Sequence, residues 1–122
     1  MRLYFFTLYN LSGIQKGIQA GHAALEYVEQ HFDHPEYREF IENHKTWILL
    51  SGGGSEDMKE RMHELASFKI PYTTFTEPDL NNSISAICFL MDEKDFMRPR
   101  EFAIGECLEI NRWINSFQLA PN

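Results

Sequence analysis

The sequence predicts a mixed α/β domain built on a sheet of about four strands. Apolar segments of strand length alternate with segments whose apolar residues recur every three or four positions, in the order β-α-α-β-α-β-β-α. Helices that connect strands produce parallel pairs, and two neighbouring strand segments late in the chain leave room for one antiparallel partner. A length of 122 residues suits a single core and is short for two ordinary domains.

The first strand and the first helix have the clearest patterns. The segment "RLYFFTL" at positions 2–8 is apolar nearly throughout, as expected for a strand buried on both faces. Asn10 and Ser12 then supply turn and capping chemistry. From 13 to 32, large apolar residues recur at helical spacing and predict an amphipathic helix with one apolar stripe: Ile14, Ile18, Leu25, Val28 and Phe32.

Glycines interrupt this helix at regular intervals. Gly13, Gly17 and Gly21 lie four positions apart, although each glycine destabilises a helix interior by about 1 kcal/mol relative to alanine. Together with Ala20 and Ala24 they form a line of small residues. We expect this line to let the helix backbone approach the sheet or another helix closely and so recover dispersion energy. A large side chain at Gly17 should then overpack that contact.

The middle of the chain predicts a second helix, a strand and a third helix. "PEYREFIENH" follows the helix-breaking Asp33-His34-Pro35 and opens with proline at its first turn, where a missing N–H does no harm. "TWILLSGGGS" predicts a strand that ends in glycines, after which Ser55 is a plausible helix N-cap. The third helix has its apolar stripe at Met58, Met62, Leu65 and Phe68.

Two further strands and a final helix complete the prediction. "IPYTTFTEP" and "SISAICFLM" are β-branched, aromatic or apolar, and the turn "DLNN" separates them. A polar connection after Met91 leads to a last helix from about Ile104 to Phe117, which is apolar over much of its circumference. Such a helix must cover a sheet face or pair with its copy. We therefore expect a homodimer with Trp113 at or near the interface.

Composition limits the classes of function. Eleven basic residues against eighteen acidic ones give a net charge of -7, which disfavours broad nucleic-acid binding through the phosphate backbone. No apolar run approaches the roughly 20 residues of a membrane span, and "MRLYFFTLYN" lacks the features of a signal peptide, so the cytoplasm is the expected compartment. Cys88 and Cys107 form no disulfide framework or metal motif by spacing, and we expect no cofactor.

The order of motifs resembles the type 2 peptidyl-tRNA hydrolase family over about residues 2 to 91. "LSGIQKGIQAGHA" follows the first strand, "TWILLS" and a helix come next, and "IPYTTFTEPDLNNSISAICFL" completes the pattern. The chain is more similar to the shorter relatives, in which a Gln stands three residues before a His-Ala pair and a Glu-Pro-Asp-Leu turn follows the third strand. The resemblance implies a mixed four-stranded sheet with helices on both faces, often dimeric, that cuts the ester between a peptide and the 3' end of tRNA.

The resemblance also implies a cleft between the first helix and the turn at 77–85. The family's lysine position falls on Gln15, and Lys16 stands one residue further along, about 100° around the helix. The family's aspartate region contains Glu77 and Asp79, while Ser83 and Ser85 occupy the places of threonines. As an enzyme, the chain would use Asp79 or Glu77 to activate water. Lys16 or the helix N-terminal amides would stabilise the oxyanion.

The residues themselves leave a second function open. Gln15, Gln19 and His22 lie at i, i+4 and i+7 and share one helix face, which suits hydrogen bonding to a nucleobase, ribose or peptide. Alternatively, His22 donates to a backbone carbonyl and the glutamines face water, while Asp79 caps its own turn. The competing function is a non-catalytic module that uses the same cleft to hold a nucleotide, an RNA end or a partner protein.

Two other motifs carry less weight. "SGGGSED" resembles a phosphate loop but lacks a Gly-Lys-Ser/Thr ending, and Glu56 and Asp57 would repel phosphate, so a strand-to-helix loop is the better interpretation. His31, His34 and His44 lie near a helix end with no spacing typical of zinc ligands, so no metal site is predicted.

Overall fold

The computed structural model describes residues 1–92 and 104–121 and confirms the predicted α/β class. The polar connection predicted after Met91 lies mostly outside the described residues. The regular elements, with a short 3-10 helix at Pro78–Leu80, are β1 (Arg2–Leu8), α1 (Gly13–His31), α2 (Pro35–Asn43), β2 (Trp47–Gly53), α3 (Ser55–Ser67), β3 (Tyr72–Glu77), β4 (Ser83–Met91) and α4 (Ile104–Asn115).

The four strands form one mixed sheet in the order β2-β1-β4-β3. Strand β1 pairs in parallel with β2 and antiparallel with β4, and β4 pairs antiparallel with β3. As a result β1, β2 and β3 end at the same edge of the sheet, where β4 begins. We call this the carboxyl edge. Asn81 and Asn82 make the tight turn into β4 with φ of 56° and 57°, a conformation that asparagine tolerates better than most residues.

Helices cover both faces of this sheet. On one face, α1 and α2 pack over a core that includes Leu3, Phe5 and Phe40. On the other face, α3 and α4 pack over Phe6 and Phe89. The central strands β1 and β4 are therefore buried on both sides, which explains their nearly continuous apolar sequences.

Helix α1 has the predicted bounds to within one residue, but it buries the face opposite to the predicted one. Ile14, Leu25 and Phe32 are exposed. The buried residues are smaller or polar: Lys16, Gln19, Ala20, Ala23, Ala24 and Tyr27. The sheet beneath carries large side chains such as Phe5 and Leu90, so alanines on α1 give the closest fit.

The predicted close approach of the glycines is therefore wrong for Gly17 and Gly21. A Cβ atom added at either position would meet no atom within 4 Å. Ala20 and Ala24 are the small residues that lie against the sheet. The glycine that does need its small size is Gly52 in β2, where a Cβ would meet Met58 Sδ and would stand 3.0 Å from Phe6 Cβ.

The glycine loop after β2 is occupied by its own helix cap. Gly54, not the predicted Ser55, is the N-cap of α3. The Gly54 amide donates to Asp57 Oδ2 at 2.9 Å, so a carboxylate of the chain already sits at this helix N-terminus. This arrangement agrees with the loop interpretation of "SGGGSED".

Helix α4 covers the α3 face of the sheet. Trp113 packs within the chain's own core, with ring centroids 5.6 Å from Phe6 and 5.3 Å from Phe68, and its Nε1 donates to Glu64 Oε2 at 2.8 Å. These contacts all lie within one chain, and a dimer interface at or near Trp113 stays a prediction. The side chains of Ile104, Cys107 and Leu108 lie outside what the structure describes.

A short tail follows α4 and runs along β2. The Ser51 amide donates to Gln118 O at 3.0 Å, and the Ala120 amide donates to Leu49 O at 2.9 Å. The tail thereby extends the sheet by one antiparallel bridge at Leu119. Among the helices of the described residues, none has both the length and the apolar character needed to cross a membrane.

Candidate functional site

The residues singled out from the sequence gather near the carboxyl edge. Helix α1 begins there after β1, β3 ends there at Glu77, and β4 starts there at Ser83. Ligands of open α/β sheets commonly bind at this edge. The backbone placement therefore agrees with the predicted neighbourhood, although the individual side chains divide into three separate groups.

The first group is a buried network centred on Gln19. Gln19 is 3% exposed, and its Nε2 donates to Glu77 Oε2 at 3.1 Å. The Ser85 hydroxyl lies 2.5 Å from Gln19 Oε1 and 3.2 Å from Phe75 O, and both oxygens act as acceptors for it. The carboxylate requires the NH₂ group of Gln19 on its side, so the orientation of the carboxamide is fixed. These side chains fill this part of the predicted cleft.

Ser85 reaches this network because of a bulge. Phe75 of β3 is opposite Ala86 and Thr76 is opposite Ile84, so Ser85 has no partner across the ladder. The extra residue turns the Ser85 side chain toward α1. Ser83 instead contacts Ser55 at the start of α3, at 3.4 Å between the hydroxyl oxygens. The two predicted substrate-binding serines are therefore in different environments.

The acidic turn is organised by Glu77. Glu77 Oε1 accepts a hydrogen bond from the Asp79 amide at 3.4 Å, so Glu77 caps the short 3-10 helix. This is the reverse of the alternative in which Asp79 caps its own turn. Glu77 is half-buried with both carboxylate oxygens engaged, whereas Asp79 is exposed.

The second group is an exposed pair of rings. The His22 imidazole stacks on the Phe75 ring with centroids 4.3 Å apart and planes inclined by 14°. His22 is exposed and Phe75 is half-buried, so one imidazole face is covered by Phe75. Gln15 is also exposed, and its backbone amide is held by the Ser12 side chain at 3.2 Å. Of the two predicted alternatives for the glutamines, Gln15 faces water and Gln19 does not.

The third group is Lys16 with the tail. Lys16 is 3% exposed and its ammonium donates to Pro121 O at 2.8 Å. Within residues 1–92 and 104–121, no carboxylate forms an ion pair with it, and it makes no hydrogen bond to Glu77 or Asp79. Lys16 is therefore not linked by an ion pair or a hydrogen bond to Glu77 or Asp79, the other two residues predicted to take part in catalysis.

Sequence reasoning missed two contributors to these groups. The sequence does contain a sign of the role of Phe75, since an aromatic residue two positions before Glu77 lies close to the predicted turn. It contains no sign of the role of Pro121, because the contact of Pro121 with Lys16 spans 105 positions. In the described ranges no three His, Cys, Asp or Glu side chains come together as metal ligands would. A cavity of about 320 Å³ lies where β4 ends, lined by His34, Lys69, Leu90, Asp92 and others, and no predicted site residue contributes to it.

No protein-family model matches the chain, and no curated protein matches it.

Proposed function

We propose that the chain is a binding module for the exposed nucleoside at the end of an RNA or for a free nucleotide, with the His22–Phe75 ring pair as its stacking platform. The observation that carries the proposal is this pair: an exposed imidazole stacked almost parallel on a half-buried phenyl ring. Proteins that bind unpaired bases stack them on rings of this kind, histidine included. Each stacked base contributes about 1–3 kcal/mol.

Polar groups next to the platform suit the remaining parts of a nucleoside. Gln15 lies two helical turns before His22 on the same side of α1, where its carboxamide can pair with a base edge. Glu77 accepts two hydrogen bonds from the protein and has further lone pairs for a ribose hydroxyl. The Gln19–Ser85 contact holds that carboxylate in position. The His22–Phe75 ring pair, the Gln15 carboxamide and the Glu77 carboxylate thus lie along one strip of the surface.

Charge favours a short ligand. The chain carries a net charge of -7, and the only Lys or Arg of α1 is the buried Lys16. A long phosphate backbone gains its affinity from exposed lysines and arginines, which this helix does not present. Stacking and hydrogen bonding to one terminal nucleoside need few phosphate contacts.

Ester hydrolysis, which the family resemblance implies, stays a second prediction. It would rely on Asp79 or Glu77 as general base. Gln19 Nε2 and the Asp79 amide donate to the Glu77 carboxylate, which gives Glu77 a structural role at the start of the 3-10 helix. The Lys16 ammonium is engaged by Pro121. These two contacts favour binding over turnover.

The test of binding is a titration of ¹⁵N-labelled protein with the trinucleotide CCA, the common 3' end of tRNA. We expect saturable shifts in amides around His22 and Phe75. His22→Ala should weaken binding about tenfold, as loss of one stacked base implies. His63→Ala is the matched control, because His63 is an exposed histidine on α3. Binding that is absent, or that survives His22→Ala unchanged, overturns the proposal.

A separate assay decides between binding and hydrolysis. Wild-type protein is incubated with tRNA carrying an N-acetylated amino acid, and release of the acetylated amino acid is measured. We expect no release above the buffer rate. Release that disappears in Glu77→Gln would establish the enzyme in place of the module.

A further inference from the structure

Helix α1 carries a line of large apolar residues on the side opposite its core face. Ile14 is 78% exposed, Leu25 is 68% exposed and Phe32, at the helix end, is 59% exposed. Ile18, at 47%, belongs to the same line. At about 100° per residue these four lie within roughly 40° of one another, and the line is about 27 Å long. Single exposed apolar residues are ordinary, but an aligned set along a whole helix marks an interaction surface.

The spacing of the line is that of a helix–helix seam. Gly21 and the half-buried Val28 fill the gaps, so the positions advance by four and three residues in alternation: Ile14, Ile18, Gly21, Leu25, Val28 and Phe32. This alternation is the heptad pattern by which helices pack along one another. Of the large seam residues, only the half-buried Val28 packs against the chain's own core, because alanines of the opposite face meet the sheet.

We propose that this seam pairs with the same seam of a second copy, with the two α1 helices antiparallel about a two-fold axis. The inference is independent of the proposed function. In this register Ile14 faces Phe32 of the second copy, Ile18 faces Val28, and Gly21 faces Leu25. The seam is thus complementary to itself in size. The open space beside Gly21, where even an added Cβ would meet nothing, receives the Leu25 side chain of the other copy.

Charge selects the antiparallel arrangement. The first turn of α1 contains no acidic residue, while Glu26 and Glu29 lie in its second half. A parallel pair would place both copies of Glu29 at the same level, near the negative ends of the two helix dipoles. An antiparallel pair places Glu29 on the flank that faces Gln15 of the other copy, in the first turn of its helix, where the helix dipole is positive. The two-fold axis makes each contact occur twice, as in most closed dimers.

The test is sedimentation equilibrium of the intact chain over a range of concentrations. We expect a monomer–dimer equilibrium that Leu25→Glu shifts to monomer, with Ile14→Glu as a second variant because both side chains are exposed in one copy. Leu119→Glu is the matched control, since Leu119 is 69% exposed but lies on the tail. A wild-type chain that is monomeric throughout, or equal effects of Leu25→Glu and Leu119→Glu, overturns the proposal.

Disulfide trapping tests the direction of the pair. In a Cys107→Ser background, the double variant Gly21→Cys/Leu25→Cys should form a linked dimer under mild oxidation, because those positions face each other in the antiparallel register. Leu25→Cys alone should not, since its own copies would stand farther apart than a disulfide spans. Efficient linking by Leu25→Cys alone would establish the parallel arrangement and reject the antiparallel one.

Discussion

The ammonium group of Lys16 donates a hydrogen bond to the backbone carbonyl of Pro121 at 2.8 Å, although the two residues are 105 positions apart. The tail that supplies this carbonyl is held on β2 by two backbone hydrogen bonds, while Leu119 itself is exposed. A buried ammonium with a neutral acceptor is expensive to desolvate. The tail therefore shields a charge, and its own attachment rests on few contacts.

Replacing Lys16 with methionine should leave stability nearly unchanged or raise it. Methionine fills a similar volume, the desolvation cost disappears, and the exposed Pro121 can bond to water instead. We expect a change in the free energy of unfolding within about 1 kcal/mol of zero or on the stabilising side. Urea denaturation measures it. A loss of more than about 3 kcal/mol would mean that Lys16 has a stronger partner than Pro121.

Detaching the tail should make Lys16 reactive. Ala120→Pro removes the amide that donates to Leu49 O, and we expect acetylation of Lys16 by an activated ester to rise at least tenfold. Peptide mapping by mass spectrometry follows the reaction, with Leu119→Ala as the control because it keeps the backbone amide. If Lys16 stays unmodified in Ala120→Pro, other residues shield it.

Gly17→Ala and Gly52→Ala should change stability in opposite directions. At Gly17 the added methyl group meets open space within a helix, so we expect a gain of about 1 kcal/mol. At Gly52 the methyl group collides with Met58, which is fully buried, so we expect a loss of about 1–3 kcal/mol. Thermal unfolding of both variants checks the pair. Destabilisation by Gly17→Ala would revive the close approach that the glycine spacing first predicted.

The elements and their order follow from sequence periodicity, but which face of α1 is buried does not. Two lines on this helix have helical spacing, one of large residues including Ile14 and Leu25, and one of alanines. Hydrophobicity favours the first, whereas the crowded sheet face accepts only the second. The choice depends on side chains from β1 and β4, which no local pattern contains.

The sequence likewise predicts only part of the candidate site. The approach of Gln19 to Glu77 follows from helix phase and the position of the β3 end. The placement of Ser85 does not, because strand alternation puts it with Ser83 and only the bulge separates them. Bulges and contacts such as Lys16–Pro121 arise from the whole packing arrangement.

The buried tyrosines should limit stability at alkaline pH. Burial, with smaller contributions from Cys88 and Glu36, raises the pKa of Tyr27 far above its ordinary value of 10.0, and burial also raises the pKa of Tyr37. The unfolded chain then loses phenol protons near pH 10 while the folded chain keeps them, so stability falls as pH rises above 10. Tyr27→Phe should lessen the fall between pH 10 and 11 by roughly 1 kcal/mol. Urea midpoints against pH measure it, and parallel curves would contradict it.

The Gln19 network should respond to a second carboxylate with a loss of stability at rising pH that adds to the pH dependence of wild type. Gln19→Glu places a buried acid in contact with Glu77, and burial and like charge together raise the pKa of this pair, so one proton is shared in the folded state. The unfolded state loses both protons near pH 4.3, so the folded state binds more protons above that pH and loses stability as pH rises.

We expect the Gln19→Glu variant to lose about 1.4 kcal/mol per pH unit relative to wild type, from about pH 4.5 until the shared proton dissociates. Gln15→Glu is the matched control, because Gln15 lies on the same helix but is exposed, and its curve should run parallel to that of wild type. Denaturant midpoints between pH 4 and 8 supply the comparison. Parallel curves for all three proteins would mean that residue 19 does not meet Glu77 in solution. The carboxylate proposed to receive a ribose hydroxyl would then have no fixed position.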